Sequence, residues 1–415
     1  MTIRRLGPFL ILAALVFATS TACSSSADDT AGTAAAASSA PPYSAPTTAP
    51  PPVTATVPAT VPATVPAAAW APVGPGPYPV GVATVTIPDP SGDRPLTVDV
   101  WFPIDAAVDT AGLAPQQYTL LPGVYYESPT AFAATADQIA TGASFPLVVY
   151  SHGSGGLRYV HSSYTEALAG QGYVVVAPDH TGNTVLERFL GTPADPAQIA
   201  IDRPSDVARV IDAFVDPADP VAGAYAAHVD AERIAVTGHS LGGFTAIAMV
   251  TGFDGPLGEI EPDPRVDAIV TLAPAVGSGL LTDDLLASIP VPMMVVVGTD
   301  DVTTPVDPNV TRLWDRSTVS PAYRVELVAA EHQTFTDLCA YVDFLPTLPA
   351  VPELIVSTIA DFAVEGCSPG DMDAGRAAEL TNSYVTRFLD QVFDGGPTID
   401  PASMATPADV IFLAR

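Results

Sequence analysis

The chain has 415 residues, of which 48% are hydrophobic, enough to build a large buried core. Its formal net charge is −30, and all 15 basic residues are arginine. A surface this acidic repels nucleic acid and anionic membranes, so we expect neither as a partner, and we attribute the acidity to the solubility of an exported protein.

The first 22 residues are typical of an export signal. Arg4 and Arg5 are followed by the apolar run Phe9–Ala18. Ten apolar residues are too few to span a bilayer. Residues 1–22 are therefore predicted to be a signal peptide that is absent from the mature protein.

Cys23 directly follows this signal, in a pattern that resembles bacterial lipoprotein signals, whose cysteine becomes the lipidated N-terminus. The resemblance implies a protein anchored to the outer face of the cell membrane, with membrane contact only through that lipid. Ser20 stands where the lipoprotein pattern prefers leucine, so conventional cleavage and secretion is the alternative. Lipidation of Cys23 would leave Cys339 and Cys367 as an even pair, which we expect to form a disulfide. Two buried free thiols are the alternative.

Residues 23–73 contain the lipidation cysteine and a linker of Ala, Ser, Thr and Pro, with "ATVP" three times between Ala55 and Pro66. This composition cannot bury a core, so the segment is predicted to be disordered. A folded domain is predicted to span residues 74–394, and residues 395–415 are predicted to be a C-terminal tail.

Eight runs of the predicted folded domain have the composition of β-strands. The first two are joined by the turn-rich "DPSGDRP" and suit antiparallel pairing, whereas the later runs are continuously apolar, as in a parallel sheet covered on both faces. The runs are Val80–Pro88, Leu96–Pro103, Leu147–Tyr150, Tyr173–Ala177, Arg233–Thr237, Ala268–Leu272, Met293–Val297 and Tyr323–Val328.

Helical patterns lie between the later strands. One helix is predicted to begin at Pro204 and Ser205, with Val207, Val210, Ile211, Phe214 and Val215 on one face. Another is predicted near the C-terminus from the spacing of Leu380, Tyr384, Phe388 and Val392. This alternation predicts an α/β fold with a mostly parallel, eight-stranded sheet and helices on both faces. Active sites of such sheets lie at the carboxyl ends of the strands.

Ser240 follows the fifth strand, in Gly238-His239-Ser240-Leu241-Gly242, and an apolar helical run comes directly after it. Gly-x-Ser-x-Gly between a strand and a helix is the nucleophile-elbow signature. The tight turn exposes the serine oxygen, and the following helix directs N–H groups toward the same place. Ser240 is therefore the predicted nucleophile.

A serine nucleophile needs a base, and the base needs an acid to orient it. His332 lies just past the eighth strand and is the predicted base, with His180, after the fourth strand, as its rival. Asp301 ends the seventh strand in an Asp-x-x-x-Pro pattern and is the predicted acid, with Asp300 as the alternative. The chain order Ser, Asp, His is that of α/β-hydrolases.

An oxyanion hole completes the predicted site. The backbone N–H of Leu241, directly after the nucleophile, is one expected donor. The loop "YSHGSGG" after the third strand supplies the other, which we assign to Ser154 with help from Gly153. A phosphate-binding loop is the alternative for this segment, but it lacks the Lys-Ser/Thr ending that such a loop requires.

Seven stretches carry a resemblance to a known family: "PYPVGVATVTIPDPSGDRPLTVDVWFP", "YSHGSGGLR", "LAGQGYVVVAPDHTGNT", "RPSDVARVID", "VTGHSLGG", "VVVGTDDVTTP" and "EHQTFTDLC". With these, residues 74 to about 394 resemble the predicted dienelactone hydrolases, secreted α/β-hydrolases similar to the platelet-activating-factor acetylhydrolases. The resemblance implies an ester-hydrolysing serine enzyme without a metal. True dienelactone hydrolases use a cysteine nucleophile, so the serine at position 240 leaves a dienelactone substrate unsupported.

The site residues predict a hydrolase that works through an acyl-enzyme on Ser240, and the resemblance implies short-chain or lipid carboxylic esters as substrates. We expect the protein to be a monomer. We see no metal-ligand cluster and no dinucleotide-binding fingerprint in the sequence, so no cofactor is expected. Two alternatives stay open. One is a cutinase-like polyester or cell-wall ester hydrolase, and the other is a binding lipoprotein that kept the fold without activity.

Overall fold

The computed structural model describes residues 70–277, 279–348, 351–400 and 406–415, all of which belong to one unit, Thr64–Arg415. The predicted signal peptide, Cys23 and the linker as far as residue 69 lie outside the described residues.

A large sheet forms the centre of the described chain. Its eleven strands have the order β13-β12-β11-β10-β7-β5-β6-β2-β1-β4-β3, and β8 and β9 form a separate hairpin. The strands are β1 Val80–Ile87, β2 Leu96–Pro103, β3 Pro115–Leu121, β4 Val124–Ala133, β5 Phe145–Ser151, β6 Val174–Pro178, β7 Val229–His239, β8 Phe253–Gly255, β9 Gly258–Ile260, β10 Ala268–Leu272, β11 Met293–Gly298, β12 Ala322–Leu327 and β13 Val410–Ala414.

All eight predicted strands are present, and their pairing agrees with the prediction. β1 pairs with β2 antiparallel, and the neighbouring strands from β6 through β12 pair in parallel. Their side chains are buried on both faces, which explains why the sequence of each is a continuous apolar run.

The predicted strand count of eight was too low, because β3, β4 and β13 extend the sheet at its two edges. Most positions of these strands are exposed or half-buried, so they need no continuous apolar run. β13 lies within the predicted C-terminal tail and pairs antiparallel with β12, from Tyr323 opposite Ala414 to Leu327 opposite Val410.

Ten α-helices occur in the described residues. They are α1 Ser162–Gln171, α2 Val185–Leu190, α3 Pro196–Val215, α4 Gly223–Ala226, α5 Leu241–Thr251, α6 Asp283–Ala287, α7 Val310–Arg316, α8 Leu338–Phe344, α9 Glu353–Ala363 and α10 Ala374–Asp394. The predicted C-terminal helix corresponds to α10 and is confirmed.

The predicted start of α3 was wrong by eight residues. The helix begins at Pro196, because Asp195 caps it by accepting a hydrogen bond from the Ala197 N–H, and Pro204 lies in its interior. A proline inside a helix removes one backbone hydrogen bond, yet burial of the helix outweighs this loss. Pro204 was therefore a misleading helix-start signal.

Two apolar layers cover the sheet. α3 and α5 pack on one face through residues such as Val207, Phe214 and Phe244. α1 and α10 pack on the other face through residues such as Leu168 and Leu380. Because β5, β7, β10, β11 and β12 run parallel, their carboxyl ends meet at one edge of the sheet, and the predicted site residues follow four of these strands.

Candidate active site

Ser240 occupies the sharp turn between β7 and α5. Its backbone has φ 57° and ψ −116°, a conformation that costs a non-glycine residue about 1–3 kcal/mol. The surrounding backbone holds it there: the Ser240 N–H donates to the Leu272 carbonyl at 2.9 Å, and the Ser240 carbonyl accepts from the N–H groups of Gly243 and Ala275. Backbone strain retained at one serine between a strand and a helix is typical of a nucleophile elbow.

The two glycines of the motif are required by close backbone contacts. A Cβ added to Gly238 would lie 2.4 Å from the Gly242 carbonyl group. A Cβ added to Gly242 would lie 1.8 Å from the Ser151 carbonyl oxygen at the end of β5. The Gly-x-Ser-x-Gly pattern therefore exists because β5, β7 and α5 meet around Ser240 with no room for another side chain.

The structure brings the predicted base and acid to Ser240. His332 Nε2 lies 2.9 Å from Ser240 Oγ, and His332 Nδ1 lies 2.9 Å from Asp301 Oδ2. His332 and Asp301 are buried, whereas Ser240 is half-buried. Asp300 is exposed and accepts from the Thr299 hydroxyl instead, so Asp301 is the carboxylate that contacts the histidine. The three side chains form a continuous hydrogen-bonded chain.

Thr304 holds the carboxylate of Asp301 in place, a role that was not predicted from the sequence. Its backbone N–H donates to Asp301 Oδ1 at 2.6 Å, and its hydroxyl lies 2.8 Å from Asp301 Oδ2. The same hydroxyl lies 3.0 Å from the Ala273 carbonyl and 3.1 Å from His332 Nδ1. A threonine three residues after an acid is a usable signal, because a carboxylate readily accepts from the N–H groups that follow it.

His239 supports the backbone of His332. Its Nε2 lies 2.9 Å from the His332 carbonyl oxygen, and the two rings pack with their centroids 4.7 Å apart. Burial lowers the pKa of His239 well below its usual range, so the ring is neutral and donates one N–H to that carbonyl.

The rival base, His180, does not reach Ser240. Its Nε2 lies 2.9 Å from the hydroxyl of Ser151, and its Nδ1 lies 3.1 Å from Asp206 Oδ2. All three side chains are buried beneath the loop that follows β5. His180 therefore belongs to a different hydrogen-bonded cluster.

One expected oxyanion donor directly follows the nucleophile in the chain, and the other directly follows Gly153, which lies close to the nucleophile. Leu241 begins α5, and Gly153 lies so close to Ser240 that an added Cβ would be 3.4 Å from the serine Cβ. Within the part of the chain that the structure describes, no acceptor takes the N–H group of Leu241 or Ser154. The Ser154 hydroxyl accepts from the Asn183 side chain at 3.3 Å. Both N–H groups are thus free to bind an oxygen of a ligand.

Cys339 and Cys367 lie at bonding distance, with their sulfur atoms 2.07 Å apart. The segment they enclose contacts the His332 loop, because the Gln333 N–H donates to the Glu365 carbonyl at 2.7 Å. A bond between the two sulfurs therefore ties this segment to the site.

The described ranges hold neither a metal-binding cluster nor a membrane-spanning helix. No group of three or more His, Cys, Asp or Glu residues among them is arranged to hold a metal ion. No helix in these ranges is both long and apolar enough to cross a bilayer.

Comparison with known proteins places the chain among hydrolases. The model of the alpha/beta hydrolase family matches residues 148–403, and the model of platelet-activating factor acetylhydrolase, isoform II, matches residues 99–190. A curated relative, platelet-activating factor acetylhydrolase from Bos taurus, is 31% identical over 67 residues, which is 16% of this chain and 15% of the relative.

A solved structure, ferulic acid esterase from Streptomyces cinnamoneus, is similar with a TM-score of 0.57 and 24% identity, covering 83% of this chain and 98% of the esterase chain. This similarity supports the fold alone. The match to the alpha/beta hydrolase family model extends over more than half of the chain. The protein therefore belongs to the alpha/beta hydrolase family.

Proposed function

We propose that this hydrolase cleaves carboxylic esters through an acyl-enzyme on Ser240. The observation that carries the proposal is the hydrogen-bonded chain from the Ser240 hydroxyl through His332 to Asp301 at the carboxyl edge of the sheet. A serine hydroxyl is a weak nucleophile unless a base removes its proton, and His332 is in position to do so. The partial matches to platelet-activating factor acetylhydrolases support the same chemistry.

In the proposed first step, Ser240 Oγ attacks the ester carbonyl carbon while His332 Nε2 takes the hydroxyl proton. Asp301 accepts the Nδ1–H of the resulting imidazolium and stabilises its charge. The carbonyl oxygen becomes an oxyanion, which the N–H groups of Leu241 and Ser154 bind. Each such donor contributes on the order of 3 kcal/mol to lowering the barrier.

The tetrahedral intermediate then collapses to the acyl-enzyme. The bond from the carbonyl carbon to the alcohol oxygen breaks, and the leaving alcohol takes the proton from His332. In the second half of the reaction, water attacks the acyl carbon while His332 acts as base again. The acid leaves, and Ser240 recovers its proton.

Six exposed apolar side chains, called the apolar collar below, lie on segments connected to the site and favour esters with an apolar part. The collar consists of Leu186, Phe189 and Leu190 of α2, Phe362 and Val364 near the end of α9, and Val302 next to Asp301. These side chains are 40% to 69% exposed. Exposed apolar side chains that cluster at one place mark a binding surface.

Hydrogen bonds and packing connect the collar to the site. The Val185 N–H, at the start of α2, donates to the Gly156 carbonyl of the loop that carries Ser154. The Arg188 guanidinium packs over the Phe362 ring at 5.0 Å, which links α2 to α9. We therefore propose short-chain or lipid esters as substrates, with the acyl or alkyl chain against the collar.

The test combines one variant with one substrate series. Ser240→Ala is expected to abolish hydrolysis of p-nitrophenyl acetate with an unchanged melting temperature, and unaltered turnover would contradict the proposal. A panel of p-nitrophenyl esters graded by acyl length then tests the collar. In Phe189→Ser, kcat/KM for esters with long acyl chains is expected to fall more than kcat/KM for the acetate ester. Leu257→Ser, another exposed apolar residue, is the matched control.

The same panel separates the remaining alternatives. Turnover of polyester films or wall-linked esters in preference to small esters would favour a cutinase-like or wall-ester hydrolase. Absence of labelling by a fluorophosphonate probe, together with absence of turnover, would favour a binding lipoprotein without activity.

We also propose that the protein is exported and held at the outer face of the membrane by a lipid on Cys23. Its surface charge argues against nucleic acid and anionic lipid as further partners. Palmitate labelling of the wild type but not of Cys23→Ser in the native host supports this location. Equal labelling of both would contradict it.

A further inference from the structure

Behind the loop that follows β5 lies a buried polar cluster that the proposed reaction does not use. It contains Ser151, His152, His180, Arg203 and Asp206, and none of these residues is more than 1% exposed. Burial of this many polar groups is costly unless every donor and acceptor finds a partner. The hydrogen bonds of these five side chains therefore show which backbone groups the cluster holds in place.

The first part of the cluster is a second Ser–His–Asp chain, which is sealed from solvent. His180 Nδ1 lies 3.1 Å from Asp206 Oδ2, which also accepts from Arg94 at 3.0 Å. Since Asp206 is an acceptor, the proton of neutral His180 is on Nδ1, and Nε2 accepts the hydroxyl proton of Ser151 at 2.9 Å. Burial and the nearby Arg203 lower the pKa of His180 well below its usual range, which agrees with a neutral ring. No substrate can reach this chain, so its role is to fix its neighbours.

Arg203 connects this chain to the backbone before Gly153. Its guanidinium donates to the Ser151 hydroxyl at 3.0 Å and to the His152 carbonyl oxygen. It also donates to Thr245 of α5 at 3.1 Å, so it joins the β5 loop to the helix that begins after Ser240. A guanidinium offers five N–H donors in a rigid plane, which suits this task.

His152 holds the next peptide group. The His180 N–H donates to His152 Nε2 at 3.2 Å, so the proton of His152 is on Nδ1. His152 Nδ1 then donates to the Gly153 carbonyl oxygen at 2.7 Å, and the Gly156 N–H donates to the same oxygen at 3.1 Å. In a planar trans peptide the N–H points opposite to the C=O. The Ser154 N–H therefore points away from His152.

We propose that His152, Arg203 and the sealed Ser151–His180–Asp206 chain are positioning residues that keep the Gly153–Ser154 peptide oriented with its N–H toward the oxyanion. This inference rests on the proposed ester hydrolysis at Ser240. Flipping this peptide would present the Gly153 carbonyl oxygen to the developing negative charge and repel it. The closeness of Gly153 to the Ser240 side chain makes such a flip directly harmful.

The test compares two substitutions of His152 with one control. His152→Leu removes the donor to Gly153 and is expected to lower kcat by about tenfold or more while KM changes by less than about threefold, because the lost contact acts in the transition state. His152→Asn keeps an N–H donor near the position of Nδ1 and is expected to restore kcat to within about threefold of the wild type. The control is His161→Leu, another buried histidine, which stacks on Tyr164 and is expected to change kcat and KM by less than about twofold.

Amide hydrogen exchange gives a readout that does not need turnover. The Gly155 N–H donates to the Asn183 carbonyl and the Gly156 N–H to the Gly153 carbonyl, so both amides report on the loop. Their exchange is expected to be about tenfold faster or more in His152→Leu, and close to wild type in His152→Asn and His161→Leu. If His152→Leu does not fold, Ser151→Ala replaces it, with a severalfold loss of kcat at unchanged KM expected.

The proposal is overturned by a His152→Leu enzyme with wild-type kcat, by equal losses in the Leu and Asn variants, or by unchanged loop exchange. The proposed function would fail on different results. Either the wild-type protein would not hydrolyse esters, or the Ser240→Ala variant would still hydrolyse them. The exchange measurement still decides the positioning role in that case.

Discussion

Replacing Gly242 by alanine adds one methyl group at the tightest contact of the nucleophile turn. The added Cβ would lie 1.8 Å from the Ser151 carbonyl oxygen, 2.6 Å from the Ser151 carbonyl carbon and 3.1 Å from the His152 carbonyl oxygen. All three are backbone atoms, so no side chain can rotate away. The end of β5 and the start of α5 must separate instead.

The size of the effect follows from these distances. A Cβ and a carbonyl oxygen need about 3.0 Å or more, so the two backbones must separate by more than about 1 Å. A displacement of about 1 Å at reacting groups costs roughly 100-fold in rate. Overpacking costs about 1–3 kcal/mol, and the better helix propensity of alanine offsets about 1 kcal/mol of this. We therefore expect a net loss of about 0–2 kcal/mol in the free energy of unfolding.

The assay measures kcat/KM for p-nitrophenyl acetate and the urea midpoint of the same preparations. Gly112→Ala is the matched control, because its added Cβ would meet no described atom within 4 Å. Gly242→Ala is expected to lose roughly 100-fold in kcat/KM, whereas Gly112→Ala keeps the wild-type value. A fully active Gly242→Ala variant would refute the close contact between β5 and α5 on which the site depends.

Three further predictions address the acid, the disulfide and the buried histidines. Asp301→Asn is expected to lower kcat by about 10⁴-fold, because His332 loses the carboxylate that sets its tautomer; a loss under tenfold would contradict this role. Replacing Cys339 and Cys367 by serine opens a loop with a sequence separation of 28. We expect the free energy of unfolding, measured in urea, to fall by about 3–4 kcal/mol. An unchanged free energy of unfolding would show that the thiols are not bonded. Burial lowers the pKa of His161 to about 4, so between about pH 6.5 and pH 4 the unfolded chain binds a proton that the folded protein does not, and acid favours unfolding. From pH 7 to pH 5 the free energy of unfolding should fall by about 2 kcal/mol more in the wild type than in His161→Leu. Equal losses in the two proteins would contradict the lowered pKa of His161.

The sequence predicted the centre of the fold because a strand buried on both faces must be apolar throughout. Val174–Pro178 and Ala268–Leu272 are fully buried, and each is recognisable from its own residues. By contrast, Pro115–Leu121 and Val124–Ala133 carry many exposed polar positions, so only their pairing stabilises them as strands. Val410–Ala414 is a strand because Ala322–Leu327 offers it a free edge, which composition cannot reveal.

The nucleophile, base and acid could be predicted for a related reason. Ser240, Asp301 and His332 each follow a strand of a parallel sheet, and topology alone brings such ends together. Thr304 and Arg203 could not be predicted, because their importance depends on which distant groups they contact. His180 was a rival base because of its place after β6, but its ring contacts Ser151 and Asp206 inside a buried cluster.

In the proposed reaction, Ser240 carries an acyl group during every turnover. The decisive measurement is to mix the enzyme with p-nitrophenyl acetate, quench in acid within the first turnover, digest, and locate the added acetyl group by peptide mass spectrometry. We predict one acetyl group on the peptide that contains Ser240, and none at that position in Ser240→Ala. Rapid turnover with no acetyl on this serine, or with the acetyl on another residue, would contradict the account.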